Sequence, residues 1–104
     1  MRIVAVTACP TGVAHTYMAK KALEDAAKKL GYSIKVETQG AIGIENEITM
    51  KDIANADVAI LAVEVGIAKQ ERFKNIKKIN IPVTTAIKQP ESLLRKIKEA
   101  LDNQ

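Results

Sequence analysis

Residues 2–16, RIVAVTACPTGVAHT, decide the fold. The β-branched run from Arg2 to Thr7 has the character of a strand buried on both faces, and the Cys9-Pro10-Thr11-Gly12 punctuation ends it in a tight loop. Beyond that loop the period changes. From Val13 to Leu30 apolar residues return at three- and four-residue steps (Tyr17, Met18, Ala22, Leu23, Ala26, Ala27, Leu30), and Lys20, Lys21, Glu24, Asp25, Lys28 and Lys29 fill much of the remainder. This predicts a helix that packs Tyr17 and Met18 into the core and stops at Gly31.

The rest of the chain repeats the alternation. Ser33 to Thr38 (SIKVET) reads as a strand with one less buried face, and Gln39 to Glu47 as a loop carrying Gly40 and Gly43. Thr49 caps a short helix running to about Ala56. Val58 to Val63 (VAILAV), the most continuous apolar run, is the expected central strand. A polar, basic stretch follows Gly66, then a last strand over Lys78 to Val83, where Pro82 marks an edge or strand end. Pro90 opens a final helix whose apolar stripe is Leu93, Leu94, Ile97 and Leu101. The order β-α-β-α-β-α-β-α predicts an α/β fold: one doubly wound domain over residues 1–104, with a four-stranded parallel sheet and helices on both faces. In such open sheets ligands sit outside the carboxyl ends of the strands, where strand order reverses.

Composition narrows the function classes. A chain of 104 residues, 47% hydrophobic and 27% charged, has the balance of one domain with one core. Its longest apolar runs fall far short of the roughly 20 residues that span a bilayer, and Met1-Arg2-Ile3 running at once into a strand is not the layout of a signal peptide. A soluble, intracellular domain with no direct membrane insertion is expected. One Cys and one His exclude an internal disulfide and the cysteine-rich zinc sites, so no metal is expected. The net charge of +4 favours acidic or phosphate-bearing partners, but nucleic acid is not expected, because aromatics are only 3% of residues and the lysines are dispersed.

The chemistry concentrates in Cys9-Pro10-Thr11-Gly12-Val13-Ala14-His15-Thr16. Between a strand and a helix, the backbone N–H groups of this loop can converge at a helix N-terminus and cradle an anion. Pro10 biases Cys9 to an extended conformation, and Gly12 permits a left-handed turn. A thiolate beside that dipole, and near a protonated His15, is stabilised and nucleophilic. Thr11 and Thr16 are candidates either for contact with the ligand or sulfur, or for satisfying helix N–H groups. Thr38, Gln39 and Gly40 follow the second strand near the same end, and Lys69, Arg72 and Lys74 are candidates for steering an acidic partner.

At these residues a resemblance becomes specific. Ala8 to Ala19 (ACPTGVAHTYMA) and Val36 to Asn46 (VETQGAIGIEN) are similar to the two signatures of the fructose-family enzyme IIB component of the bacterial sugar phosphotransferase system. The likeness continues through Asp52 to Val58 (DIANADV), Arg72 and Phe73, and Ala86 to Glu91 (AIKQPE). The resemblance implies a cytoplasmic phosphotransferase domain without a cofactor. Cys9 would accept a phosphoryl group from a phosphohistidine of enzyme IIA and pass it to a sugar, fructose in the namesake systems, bound by the membrane enzyme IIC. It also implies that Pro10 to Thr16 form the phosphate loop and that the domain meets the inner face of the membrane through enzyme IIC; His15 is a candidate catalytic residue in contact with the phosphate, or else a residue that only caps the helix start or faces water. The stretch Glu64 to Gln70 (EVGIAKQ) departs from the family pattern, which usually has an aspartate and a different loop there.

Two other readings use the same residues. A cysteine-dependent phosphatase or arsenate-reductase-like enzyme has a loop of this length, but with an arginine where this chain has His15, and a reductase needs a second thiol. A non-catalytic anion-binding regulatory module would need the loop but not the thiol.

Overall fold

The computed structural model describes residues 1–9, 13–40 and 42–103, with the backbone alone at Val13. In chain order the elements are β1 (Arg2–Ala8), α1 (Val13–Leu30), β2 (Ser33–Gly40), β3 (Gly43–Glu45), α2 (Met50–Ala54), β4 (Val58–Val63), a 3-10 turn (Gln70–Phe73), β5 (Lys78–Ile81), α3 (Val83–Lys88) and α4 (Pro90–Asp102). The sheet order is β3-β2-β1-β4-β5. β1 lies parallel to both β2 and β4, and β4 parallel to β5, with Ala5 opposite Val36 on one side and Ile60 on the other.

Side chains alternate across a strand, so each central strand feeds two cores. Ile3 and Ala5 of β1 and Val58, Ile60 and Ala62 of β4 face α1, α3 and α4, meeting Ala19, Leu23, Ala26, Val83, Ala86, Leu94 and Ile97. Val4, Val6, Ala59 and Leu61 face the other way, onto Ile48, Ile53 and Phe73. The second face is thus covered by α2 and the 3-10 turn, and the expected two-sided arrangement holds.

Several boundaries differ from the sequence reading. The sheet has five strands rather than four, because β2 runs on through Gly40 and pairs antiparallel with β3, Gly40 opposite Gly43. Gly43, at φ 97°, takes a backbone conformation that favours glycine, so glycines that look like loop punctuation instead close a hairpin. The basic stretch after Gly66 makes one 3-10 turn anchored by fully buried Phe73, not a full helix. β5 ends at Ile81, and Val83, expected in the strand, is a buried residue of α3, with Pro82 as its N-cap.

The helix boundaries follow ordinary rules. Gly31, at φ 78°, ends α1 as a Schellman cap, in which Tyr32 N–H donates to Ala27 O at 2.8 Å and Gly31 N–H to Lys28 O at 3.2 Å. Thr49 and Asp52 form a reciprocal capping box on α2, and Lys35 together with the Thr49 N–H holds the Asp52 carboxyl down to about 2. The placement of Tyr17 and Met18 in the core is corrected: they are 36% and 52% exposed. The buried line of α1 is Thr16, Ala19, Leu23, Ala26 and Ala27, and at about 100° per residue Tyr17 and Met18 rotate off it.

Candidate functional site

The chain leaves β1 toward β2 on one side and later returns past it to β4 on the other, so strand order reverses between β1 and β4. Outside the carboxyl ends of these two strands lies the crevice where open α/β sheets bind ligands. Cys9 directly follows β1 and Glu64 directly follows β4. The Glu64 N–H donates to Ala8 O at 3.2 Å, which carries the sheet's hydrogen bonding to its last rung. Across that rung the Cys9 thiol donates to Glu64 Oε2, with Sγ and Oε2 3.7 Å apart. Cys9 is half-buried and Glu64 exposed.

The start of α1 is pinned to the same end. Thr7 Oγ1, at the tip of β1, donates to Thr16 O at 3.1 Å, and both residues are buried. Thr16 Oγ1 is itself buried and has no hydrogen-bond partner among the described residues. Val13 is the first residue of α1, and Ala14 and His15 lie exposed in its first turn. Pro10, Thr11 and Gly12, expected in the phosphate loop, lie outside the described residues.

The residues expected beside the site divide into two groups. Thr38 is buried and its Oγ1 donates to Glu45 Oε1 at 3.4 Å; the Tyr17 hydroxyl donates to the same carboxylate oxygen, tying α1 to the β2–β3 hairpin. Gly40, exposed, is the last residue of β2. Gln39 turns its amide toward the loop after β4: its Oε1 accepts from Ala68 N at 2.8 Å and its Nε2 donates to Ala68 O at 3.1 Å and to Glu37 Oε2 at 2.7 Å.

Arg72, a candidate for steering an acidic partner or for lying beside the site, makes a buried tie. Its side chain is 9% exposed and grips the fully buried Glu37 through Nη1 to Oε1 at 2.7 Å and Nη2 to Oε2 at 2.9 Å. The remaining donors reach Ile48 O at 2.8 Å and Lys69 O at 2.7 Å. Burial pushes the Glu37 carboxyl up, but hydrogen bonds from Arg72, Gln39 and the Ile48 N–H, with the Arg72 charge, outweigh it and hold the group below its ordinary 4.5. Lys69 pairs with Glu47 at 2.7 Å. The loop from Glu64 to Lys69 is therefore held at Ala68 and Lys69 by β2 and Arg72. Sequence reasoning missed both carboxylates: Glu37 reads as one polar residue of an alternating strand, and Glu64 as one member of a divergent loop.

Among the described residues no three His, Cys, Asp or Glu side chains gather as a metal site, and no helix is long and apolar enough to cross a membrane. The geometry defines a class: a small open-sheet α/β domain that presents a thiol at its switch point.

Comparison with known proteins places that class. The family model described as the lactose/cellobiose-specific IIB subunit of the phosphotransferase system matches residues 4–96. A fructose-like EIIB component 2 of Escherichia coli K12 is 50% identical over 100 residues, covering 96% of this chain and 94% of the relative. A fructose-specific EIIABC component of Bacillus subtilis is 46% identical over 95 residues, which are 91% of this chain and 15% of that longer protein. The solution structure of an enzyme IIB subunit from Escherichia coli K12 superposes with a TM-score of 0.92 at 42% identity, covering 98% of this chain and 94% of that one. A domain of a fructose-specific IIABC component from Borrelia burgdorferi gives 0.86 at 52% identity, over 91% and 90%. The chain belongs to the enzyme IIB family of the sugar phosphotransferase system, among its fructose-like members. Enzyme IIB components are phosphotransferase domains of sugar uptake.

Proposed function

We propose that Cys9 is the phosphoryl carrier, accepting phosphate from a phosphohistidine of enzyme IIA and handing it to a sugar bound by the membrane enzyme IIC. The observation that carries this reading is the position of the thiol, past the last residue of β1 at the switch point, with the start of α1 pinned beside it. Phosphoryl transfer demands in-line positioning and donors for the equatorial oxygens more than covalent help from the protein. The N–H groups of the Pro10 to Thr16 loop, Pro10 excepted, are the natural source of those donors, with Thr16 and the exposed His15 at its helical end. Relatives named EIIABC, in which the three components share one name, support the choice of partners. The domain would work at the inner face of the membrane, docked to enzyme IIC. A fructose-like hexose is the favoured acceptor, although one relative is named for 2-O-alpha-mannosyl-D-glycerate, consistent with the sugar being chosen by enzyme IIC.

The test is incubation with phosphoenolpyruvate, the general phosphotransferase enzymes and a matched enzyme IIA, followed by intact mass and site mapping. One phosphoryl group on Cys9, absent from Cys9→Ser, is expected. An unmodified Cys9 beside an enzyme IIA shown to be phosphorylated would defeat the reading.

A further inference from the structure

The Cys9 sulfur has a carboxylate for a neighbour. Oxygen Oε2 of Glu64 lies 3.7 Å from Sγ, and the backbone that carries this side chain is held at both ends of its loop. The Glu64 N–H is tied to Ala8 O, and the loop that follows is held by the two-way Gln39–Ala68 pairing and by Arg72 on Lys69 O. Such a contact suits a protonated thiol, which can donate to the carboxylate. It opposes any state in which the sulfur, or a group on it, is anionic.

We infer that Glu64 is a second catalytic residue of the phosphoryl transfer, one that disfavours negative charge at the Cys9 sulfur and so keeps the phosphorylated cysteine ready to give up its phosphate. The inference rests on the carrier reading above. In the accepting step the S–P bond forms as the N–P bond of the donor breaks, and the N–P electron pair stays on the imidazole. The thiol proton passes along the existing hydrogen bond to Glu64 Oε2 and from there, since the side chain is exposed, to water. The carboxylate is then negative again and faces a phosphoryl dianion on sulfur. In the donating step the S–P bond breaks with its electron pair on sulfur, the P–O bond to the sugar forms, and the hydroxyl proton goes to a base of the acceptor partner. The sulfur regains a proton from water through Glu64. Like-charge repulsion is relieved once the phosphoryl group has left and the sulfur is reprotonated, so the charge of Glu64 favours the forward transfer at equilibrium, which is the property a carrier needs.

The test is Glu64→Gln, which keeps the shape and the hydrogen-bond acceptor and removes the charge. In the unphosphorylated protein at neutral pH, the uncharged reagent iodoacetamide should alkylate Cys9 roughly two- to fivefold faster in the variant, the range of one exposed charge pair, and the gap should close in high salt. Mixed with phosphorylated enzyme IIA, the variant should retain more phosphate on Cys9 at equilibrium, with the same sensitivity to salt. Equal alkylation rates at low salt in a variant of unchanged thermal stability would overturn the inference. So would a difference that high salt leaves intact, since that would report a rearranged loop. The alkylation arm needs no phosphoryl donor, so failure of the carrier reading and failure of this one are separable: an unphosphorylated Cys9 defeats the first, an unresponsive alkylation rate the second.

Discussion

Two glutamates lie near the carboxyl edge of the same sheet and meet opposite fates. Glu37, on β2, is fully buried, and its two oxygens receive the Arg72 fork, the Gln39 amide and the Ile48 N–H. Glu64, just past β4, is exposed and reaches the Cys9 thiol through one long contact. A buried charge is tolerable when every lone pair is satisfied, and it then serves as a fixed point for what surrounds it. A charge left in water costs little and stays available to a reacting atom. The first glutamate holds the loop; the second, at the end of that loop, faces the Cys9 thiol.

The sharpest way to break this contrast is Arg72→Met, which strands the Glu37 carboxylate in the core. A loss of about 3–5 kcal/mol in urea unfolding is expected, with the double variant Glu37→Leu, Arg72→Met recovering more than half of it. Acid should do the same gradually. Because the folded Glu37 carboxyl is held below 4.5, its contribution is complete above that value and declines as pH falls through the lower folded one. Stability measured against pH should therefore drop less steeply in the double variant than in the native chain over that acid range.

Gln39→Ala removes the pairing with Ala68 and one bond to Glu37, and should cost about 1–3 kcal/mol. It should also loosen the loop that carries Glu64, read as faster amide exchange at Ala68. Smallest of all should be the stability effect of Glu64→Gln, within about 0.5 kcal/mol by thermal unfolding, as for an ordinary surface change. A stability loss there as large as that of Gln39→Ala would mean that the two carboxylates are not divided between architecture and chemistry.

Much of the fold was legible along the chain because local pattern and burial agree. Ile3 to Val6 and Val58 to Val63 are apolar without a break because each strand is covered on both faces, and Gly31, Thr49 and Pro90 act at the helix ends where their backbone chemistry puts them. The missed elements are those whose local signal is ambiguous. Gly40 and Gly43 are loop punctuation until strand β3 folds back on β2, and Val83 continues an apolar strand until Pro82 turns the chain into α3. Tyr17 and Met18 fit the helical period of α1, but the phase of the buried face is set by the contact of Ala19, Leu23 and Ala26 with the sheet.

The sequence by itself determined that a strand, a loop bearing Cys9 and a helix follow one another, and hence that a thiol stands at the carboxyl end of a parallel sheet. That information is local: periodicity, punctuation and one reactive residue type. Only the tertiary structure decided what the thiol faces. Cys9 and Glu64 come together because β4 lies beside β1, and Arg72 reaches Glu37 because the 3-10 turn packs through Phe73 on the face of β1 and β4 that Glu37, opposite Val6, shares. Contacts between residues so far apart in the chain leave no periodic trace, since they arise from strand order and from the need of a buried charge for a partner.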